Sequence, residues 1–206
     1  MQNLIGLNDT NPMYPRYFKR IIDILITSIA LLLALPLFLV CYILVKTDSR
    51  GPFFFMQERL GYKGKIFRVF KIRTMTYKQR IANREIFKND AEVTKTGSIL
   101  RRFKIDEVPQ LINVLKGDMS LVGPRPGLPA QISEFNDDGR SRLLVKPGLT
   151  GLAQINGNIY LSWPERWKYD RKYVENLSFL LDVKIILKTF SIIIQGEEKF
   201  VKKSDA

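Results

Sequence analysis

The chain has 206 residues, with 33 Lys plus Arg against 20 Asp plus Glu, no histidine, one cysteine and a formal net charge of +13. These counts exclude a His general base, a Ser-His-Asp triad, a His-based metal site, an intrachain disulfide and a Cys-rich zinc site. An apolar fraction of 46% excludes wholesale disorder, so any catalysis falls to carboxylates, Lys, Tyr or hydroxyls, with or without a metal held by oxygen.

The charge is uneven: residues 1–50 carry a net +2 and residues 51–206 a net +11. Such an excess attracts polyanions, whether nucleic acid, an anionic membrane surface or phosphorylated small molecules. Residues 1–13 read as a polar extension. From Ile24 to Val45 there are 22 residues without a charge, about 33 Å as a helix and close to the hydrocarbon thickness of a bilayer. The run is too long for a signal peptide, and no small-residue cleavage site follows it. A buried core helix is disfavoured because the run lacks a polar stripe. Arg16, Lys19 and Arg20 precede it, and Lys46 and Arg50 follow it. Basic flanks on both ends fit a simple span poorly, and Pro36 sits mid-run, where proline kinks a helix. We therefore read 17–46 as a re-entrant helix-break-helix that enters and leaves by one face. Asp23 reads as an interfacial partner of Lys19 or Arg20, and Cys41 as a small apolar filler.

Phe53–Arg59 and Lys65–Arg73 are rich in aromatic and β-branched residues and flank Gly61-Tyr62-Lys63-Gly64, the pattern of a β-hairpin. Residues 78–95 are polar and read as a frayed helix and a loop. Thr96 is the expected N-cap of a short helix to about Phe103. A second helix is expected from Asp106 to Lys116, ended by Gly117. The loop Gly123-Pro124-Arg125-Pro126-Gly127 follows, then a helix over 128–144 and a loop over 146–151. Ser162-Trp163-Pro164-Glu165 is a capping-box start for a helix to about Val174. Leu177–Gln195 reads as a long, mostly apolar helix that packs under the domain or lies in the headgroup layer. The fold class is α+β, mainly helical, with 14–50 embedded in the membrane, a catalytic unit over 51–200 with amphipathic helices at the membrane face, and a tail over 201–206.

Asp106 and Glu107 are adjacent carboxylates just after Arg101, Arg102 and Lys104. As an N-cap and a first-turn acid they need no further role. As a nucleophile beside an acid/base or metal-binding partner they would be catalytic, provided that the site wraps around the helix terminus. Lys71 and Arg73 close the second strand, Arg125 is fixed between two prolines, and Lys146 precedes a Gly-rich turn. Arg offers a rigid fork for phosphate oxygens, and Gly123, Gly148 and Gly151 could let backbone N–H groups approach an anion. Together these outline a diphosphate site beside carboxylates, which calls for Mg²⁺ to offset like charge. Nucleic acid is the rival partner, but no helix-turn-helix or RNP signature is present and the basic residues are scattered over loops. We read no nucleic-acid partner.

Six blocks occur in an order that resembles the bacterial sugar transferases known as monotopic polyprenyl-phosphate phosphoglycosyl transferases. They are Lys19-Arg20-Ile21-Ile22-Asp23, Gln57-Glu58-Arg59-Leu60-Gly61, Phe70-Lys71-Ile72-Arg73-Thr74-Met75, Asp106-Glu107-Val108-Pro109-Gln110-Leu111, the stretch Asn113 to Pro126, and Lys146 to Gly157. The resemblance covers residues 14 to about 195. It implies transfer of a sugar-1-phosphate from a UDP-sugar to a polyprenyl phosphate such as undecaprenyl phosphate, giving a polyprenyl-diphosphate sugar and UMP. It implies Mg²⁺ dependence, with Asp106 and Glu107 as the metal-site carboxylates, and a covalent phosphosugar intermediate on Asp106, with Glu107 as metal ligand or proton handler. Arg101 and Arg125, and more weakly Lys71, would hold phosphates. Lys146, Gly148, Thr150, Gly151, Asn156 and Asn158 would lie on the nucleotide side. The expected location is the bacterial inner membrane, catalytic unit on the cytoplasmic face. Two departures stand out. Leu35-Pro36 replaces the Ser-Pro often found at the helix break, and Asn158 stands where the family often has Arg, so it can hydrogen-bond a nucleotide but not neutralise a phosphate. A membrane-tethered anion- or nucleotide-binding protein without turnover is the alternative reading.

Overall fold

The computed structural model describes residues 14–76 and 92–196, with the side chains of Pro15 and Arg16 excepted. The expected polar extension over 1–13, most of the polar segment 78–95 and the tail over 201–206 lie outside the described residues.

The apolar run forms one long helix, α1 (Lys19–Asp48), entered through a π-type turn at Tyr14–Phe18. Its most apolar 18-residue window has a mean hydropathy of 2.8 and is only 11% buried, which rules out a core helix of the ordinary kind. The expected break at Leu35-Pro36 does not interrupt it: Pro36 lies inside continuous helical backbone. Proline removes one donor from the ladder, and a helix can carry that loss as a bend.

Both ends of α1 are fastened to the same globular body. At the N-terminal end Lys19 pairs with Asp182, Arg20 donates to the Val114 and Leu115 carbonyls, and the Leu121 amide donates to Asp23 at 3.2 Å. At the C-terminal end Cys41 and Val45 pack with Ile72 and Leu100. Arg73 donates to the carbonyls of Arg50 (2.8 Å) and Ser49 (2.6 Å), capping the helix. Between these ends Leu32, Leu33, Leu35 and Leu39 stay exposed.

The expected hairpin is present: β1 (Phe54–Leu60) pairs antiparallel with β2 (Ile66–Ile72), Phe54 opposite Ile72 and Leu60 opposite Ile66. Alternation places Phe67, Val69 and Lys71 on one face. Phe67 and Val69 enter the core with Val114 and Met119, and this brings Lys71 towards the segment that leads into α3.

α2 (Lys95–Arg102) starts two residues earlier than expected. Thr94, not Thr96, is the N-cap: its Oγ1 accepts from the Gly97 amide at 2.9 Å. The helix expected over 106–116 divides. Ile105–Glu107 is a single 3₁₀ turn after Lys104, whose φ is +57°, and α3 is confined to Gln110–Lys116, closed by Gly117 at φ +88°. Pro109 lacks the N–H that would continue a helix through the carboxylates. Asn113 of α3 is fully buried; its Nδ2 donates to the Arg68 carbonyl (2.8 Å) and its Oδ1 accepts from the Phe70 amide (3.1 Å), locking α3 to β2.

β3 (Ser120–Val122) pairs parallel with β4 (Gly148–Thr150), so the loop expected at 146–151 contains a short strand. The helix expected over 128–144 also divides: 3₁₀ turns at Pro129–Glu134 and Arg142–Leu144 flank α4 (Asp137–Ser141). Asn136 starts α4 afresh by accepting from the Gly139 amide at 2.9 Å. α5 (Trp163–Glu175) begins with the expected Ser162/Glu165 capping box, and α6 (Phe179–Gln195) follows. Tyr173, Ile185, Ile192, Val122 and Ile155 form the core under β3 and β4.

Candidate active site

The 3₁₀ turn places Asp106 and Glu107 together at the mouth of α3, both mostly buried at 7% and 8% exposure. Pro109, not Asp106, occupies the N-cap position of α3, so the expected capping role of Asp106 is not met, while both carboxylates lie in the 3₁₀ turn. Their surroundings differ. Glu107 takes Lys71 Nζ on Oε1 at 2.7 Å, and Arg125 at 2.5 Å on Oε1 and 3.1 Å on Oε2. Asp106 accepts no hydrogen bond from any described residue. Arg101 stands on the other flank, its Nε bonded to Thr74 Oγ1 at 2.8 Å.

The two carboxyls are driven apart electrostatically. Burial and the neighbouring Glu107 charge raise Asp106, against the pull of Lys71, Arg101 and Lys104. Burial would also raise Glu107, but Arg125 and Lys71 outweigh it and hold the group well below the usual range. Glu107 is thus a fixed anion. Asp106 is a desolvated carboxylate with open lone pairs beside cations, an arrangement suited to attack on, or coordination near, a phosphate.

Arg125 is presented by a loop whose carbonyls are all engaged. Pro124 O accepts from the Gly148 amide (2.9 Å), Arg125 O from Arg142, Pro126 O from Arg59 (3.2 Å) and Gly127 O from the Leu60 amide (2.8 Å). Its side chain is 39% exposed, reachable from solution while holding Glu107.

The sequence-derived site residues separate into two groups. Asp106, Glu107, Lys71, Arg125 and Arg101 converge. Those expected on the nucleotide side have other immediate neighbours. Lys146 lies beside Arg20 and Gly117 at the start of α1, with Asp23 and Asp118 as its acidic neighbours. Gly148 and Gly151 press against Gly123; a Cβ on Gly148 would stand 2.0 Å from the Gly123 nitrogen. The Gly123 and Gly148 amides donate to Thr150 O and Pro124 O, so they do not face an anion as expected. Thr150 Oγ1 shares a hydrogen bond with Thr189 Oγ1 of α6 at 2.7 Å, and Asn156 Nδ2 donates to Leu152 O at 2.8 Å. Asn158 is buried at φ +48° in the turn that follows. Leu35 and Pro36 lie in the exposed middle of α1.

The model of the family described as bacterial sugar transferase matches residues 14–196. The chain belongs to that family. Its relatives fall into two size classes. The uncharacterized sugar transferase EpsL of Bacillus subtilis is 40% identical over 87% of this chain and 88% of its own length. The exopolysaccharide production protein ExoY of Rhizobium meliloti is 38% identical over 83% of each chain. A UDP-glucose:undecaprenyl-phosphate glucose-1-phosphate transferase of Klebsiella pneumoniae is 42% identical over 84% of this chain but only 39% of its own length.

In this sugar transferase, several residues that build the site escaped the sequence reading. Arg59 and Arg142 hold the Arg125 loop, Asn113 sets α3 against β2, and Asp170 of α5 pairs with Arg142 at 3.2 Å. Arg59 stood within a recognised block, and its strand position beside Gln57 was legible. Its target, 67 residues away, was not.

Proposed function

We propose that this sugar transferase moves a sugar-1-phosphate from a UDP-sugar to undecaprenyl or another polyprenyl phosphate, with Asp106 as nucleophile. The observation that carries the proposal is the asymmetry of the dyad: Glu107 is neutralised by Lys71 and Arg125, while Asp106 is mostly buried and accepts no hydrogen bond among the described residues. Relatives whose names state such a reaction, including the Klebsiella pneumoniae enzyme and an undecaprenyl-phosphate galactose phosphotransferase of Salmonella typhimurium, support the reaction class.

An Asp106 oxygen attacks the phosphorus next to the sugar. The bond from that phosphorus to the bridging oxygen breaks, and UMP leaves with the electron pair. A polyprenyl phosphate oxygen then attacks the same phosphorus, the acyl phosphate bond breaks and the Asp106 carboxylate is restored. Splitting the transfer this way lets the soluble and lipid substrates use the site in turn. Arg125, Lys71 and Arg101 stabilise the phosphate charge. Arg125 is joined through Pro124 to β4, so a donor held there can extend its nucleotide towards the 148–158 segment, where Asn156 and Asn158 remain the candidates for base or ribose contacts.

The residues present fit a magnesium ion. Asp106 has open lone pairs, Glu107 lies beside it, and this ion takes one or two carboxylates and fills its shell with phosphate oxygens and water. Among the described residues no closed cage of three or more acidic, Cys or His groups forms, and none is required for that habit. When bound, the ion would offset charge on the diphosphate and the leaving group.

The chain is proposed to act at the cytoplasmic face of the bacterial inner membrane, with α1 re-entrant. Support comes from α1 itself, whose two ends are both fastened to one body while its apolar middle stays exposed. Leu180, Leu187, Phe190 and Ile194 line an exposed stripe of α6, and Ile99 of α2 and Phe103 just after it are exposed too. Arg102 of α2 reaches the Ile193 carbonyl and brings these surfaces together. Such a face suits the headgroup layer.

The test is UMP release from a panel of UDP-sugars with undecaprenyl phosphate and Mg²⁺, using protein in nanodiscs and Asp106→Asn as control. Release with one donor, lost in the variant, supports the proposal. Donor binding without release from any sugar favours the tethered binding protein.

A further inference from the structure

Two arginines outside the dyad set the position of Arg125. The segment Pro124-Arg125-Pro126-Gly127 contains two residues without an N–H, so it has few donors of its own with which to close a turn. Its carbonyls must find partners elsewhere or stay unsatisfied. Backbone amides serve the outer two, from Gly148 and Leu60. Guanidinium groups serve the inner two: Arg142 donates to Arg125 O and Arg59 to Pro126 O.

Both donors are themselves held in place. Arg59 projects from β1, and its other terminal nitrogen donates to Gln57 Oε1 at 2.6 Å. Arg142 is 6% exposed, pairs with Asp170 of α5 and lies over the Phe135 ring. Arg142 therefore links α5 to the carbonyl of the residue that grips Glu107. Arg59 links the hairpin, which also carries Lys71, to the neighbouring peptide. A shift of about 1 Å in a group that orients substrate is enough to cost much of its effect.

We propose that Arg59 and Arg142 are positioning residues, which act through Arg125 to set affinity for the diphosphate of the donor. This rests on the phosphate-binding role assigned to Arg125 above. Neither residue needs to touch the reacting atoms.

The experiment is calorimetric titration of the full chain in detergent with inorganic diphosphate, run beside UMP-release kinetics. The proteins are wild type, Arg125→Gln, Arg59→Gln, Arg59→Lys, Arg142→Lys and the double variant Arg59→Gln/Arg125→Gln. Arg59→Gln is expected to weaken diphosphate binding about tenfold, the scale of one charge-assisted hydrogen bond, and to raise donor KM more than it lowers kcat. Arg59→Lys, which keeps a donor and the charge, should recover most of the affinity. Arg142→Lys should weaken the same binding while keeping Asp170 paired. In the Arg125→Gln background, Arg59→Gln should cost nothing further, because residues acting through a common group are non-additive. A merely damaged fold would subtract the same amount from both backgrounds, and that result overturns the proposal, as does unchanged binding in Arg59→Gln. Wild-type protein that binds no diphosphate overturns it as well. Diphosphate binding that depends on Arg125 and falls in Arg59→Gln upholds the proposal even where no UDP-sugar is turned over; that outcome strikes only the reaction.

Discussion

Arg125 grips both carboxylate oxygens of Glu107, at 2.5 and 3.1 Å, although 18 residues separate them in the chain. Lys71 closes on the same carboxylate from the hairpin. One member of the acidic pair is consumed as an internal counter-ion, and the other is the proposed nucleophile.

Removing the reactive carboxylate should abolish turnover without harming the fold. Asp106→Asn is expected to lower UMP release by at least about a thousandfold, the scale of losing a covalent nucleophile. The native fold holds Asp106 above its ordinary pKa, so ionised Asp106 opposes folding at neutral pH. The melting temperature of Asp106→Asn should equal or exceed that of wild type. A marked fall in thermal stability would mean that Asp106 is a structural group.

Glu107→Gln should behave in the opposite way. It leaves Lys71 and Arg125 without their shared anion, and Lys71 is 19% exposed. Breaking such a largely buried pair costs about 2–4 kcal/mol, to be read from denaturant unfolding. Turnover should fall as well. A variant that keeps full stability would show that the pairing contributes nothing to the fold.

The pH dependence follows from Asp106. The proposed attack requires its ionised form, and its pKa is raised by burial and by Glu107. The acid limb of kcat/KM for the donor should therefore lie above the ordinary aspartate value. Arg101 pulls this pKa down, so Arg101→Gln should move the limb to still higher pH. A shift to lower pH would contradict the assignment. For stability the signs differ between the two carboxyls. Glu107, held low, contributes stability that is lost as pH falls through its folded pKa, whereas Asp106 gains its proton more readily in the folded chain.

Gly148→Ala probes packing rather than binding. The added Cβ would stand 2.0 Å from the Gly123 nitrogen and 2.4 Å from the Thr150 carbonyl, with no flexible side chain to yield. We expect a loss of about 3 kcal/mol or more, or failure to fold. Unchanged melting with weakened nucleotide binding would instead make Gly148 a ligand contact.

Topology is open to direct labelling. In a Cys41→Ser background, single cysteines at Asn3 and Tyr62 should both react with an impermeant maleimide only from the cytoplasmic side. Labelling of position 3 from outside would make α1 a true span.

Much of this protein is determined by local pattern. An uncharged run of 22 residues reads as an apolar helical segment, though its continuity through Pro36 was not legible there, and alternation around Gly61–Gly64 makes a hairpin. Ser162 with Glu165 starts α5 because a side chain three residues on can reach back to the free amide. The adjacent carboxylates and the proline-flanked arginine were legible for the same reason, since each is an unusual arrangement of neighbours. Helix limits were less so. Thr96 is the expected cap, but Thr94 takes the Gly97 amide, and its own amide bonds the Thr74 carbonyl at 3.1 Å, a contact outside the helix. The run 128–144 looked helical until Asn136 captured the Gly139 amide. What the tertiary structure alone decided is the pairing of charges. Lys71, Arg125 and Glu107 come from three separate elements, and Lys146 lies by Asp23 and Asp118 rather than by the dyad. Lys146 is drawn to Asp23 and Asp118 while Arg20 repels it, and these choices depend on how β2, α3 and the two parallel strands pack. A charge acts on whatever lies within a few ångströms, and sequence separation sets no such distance.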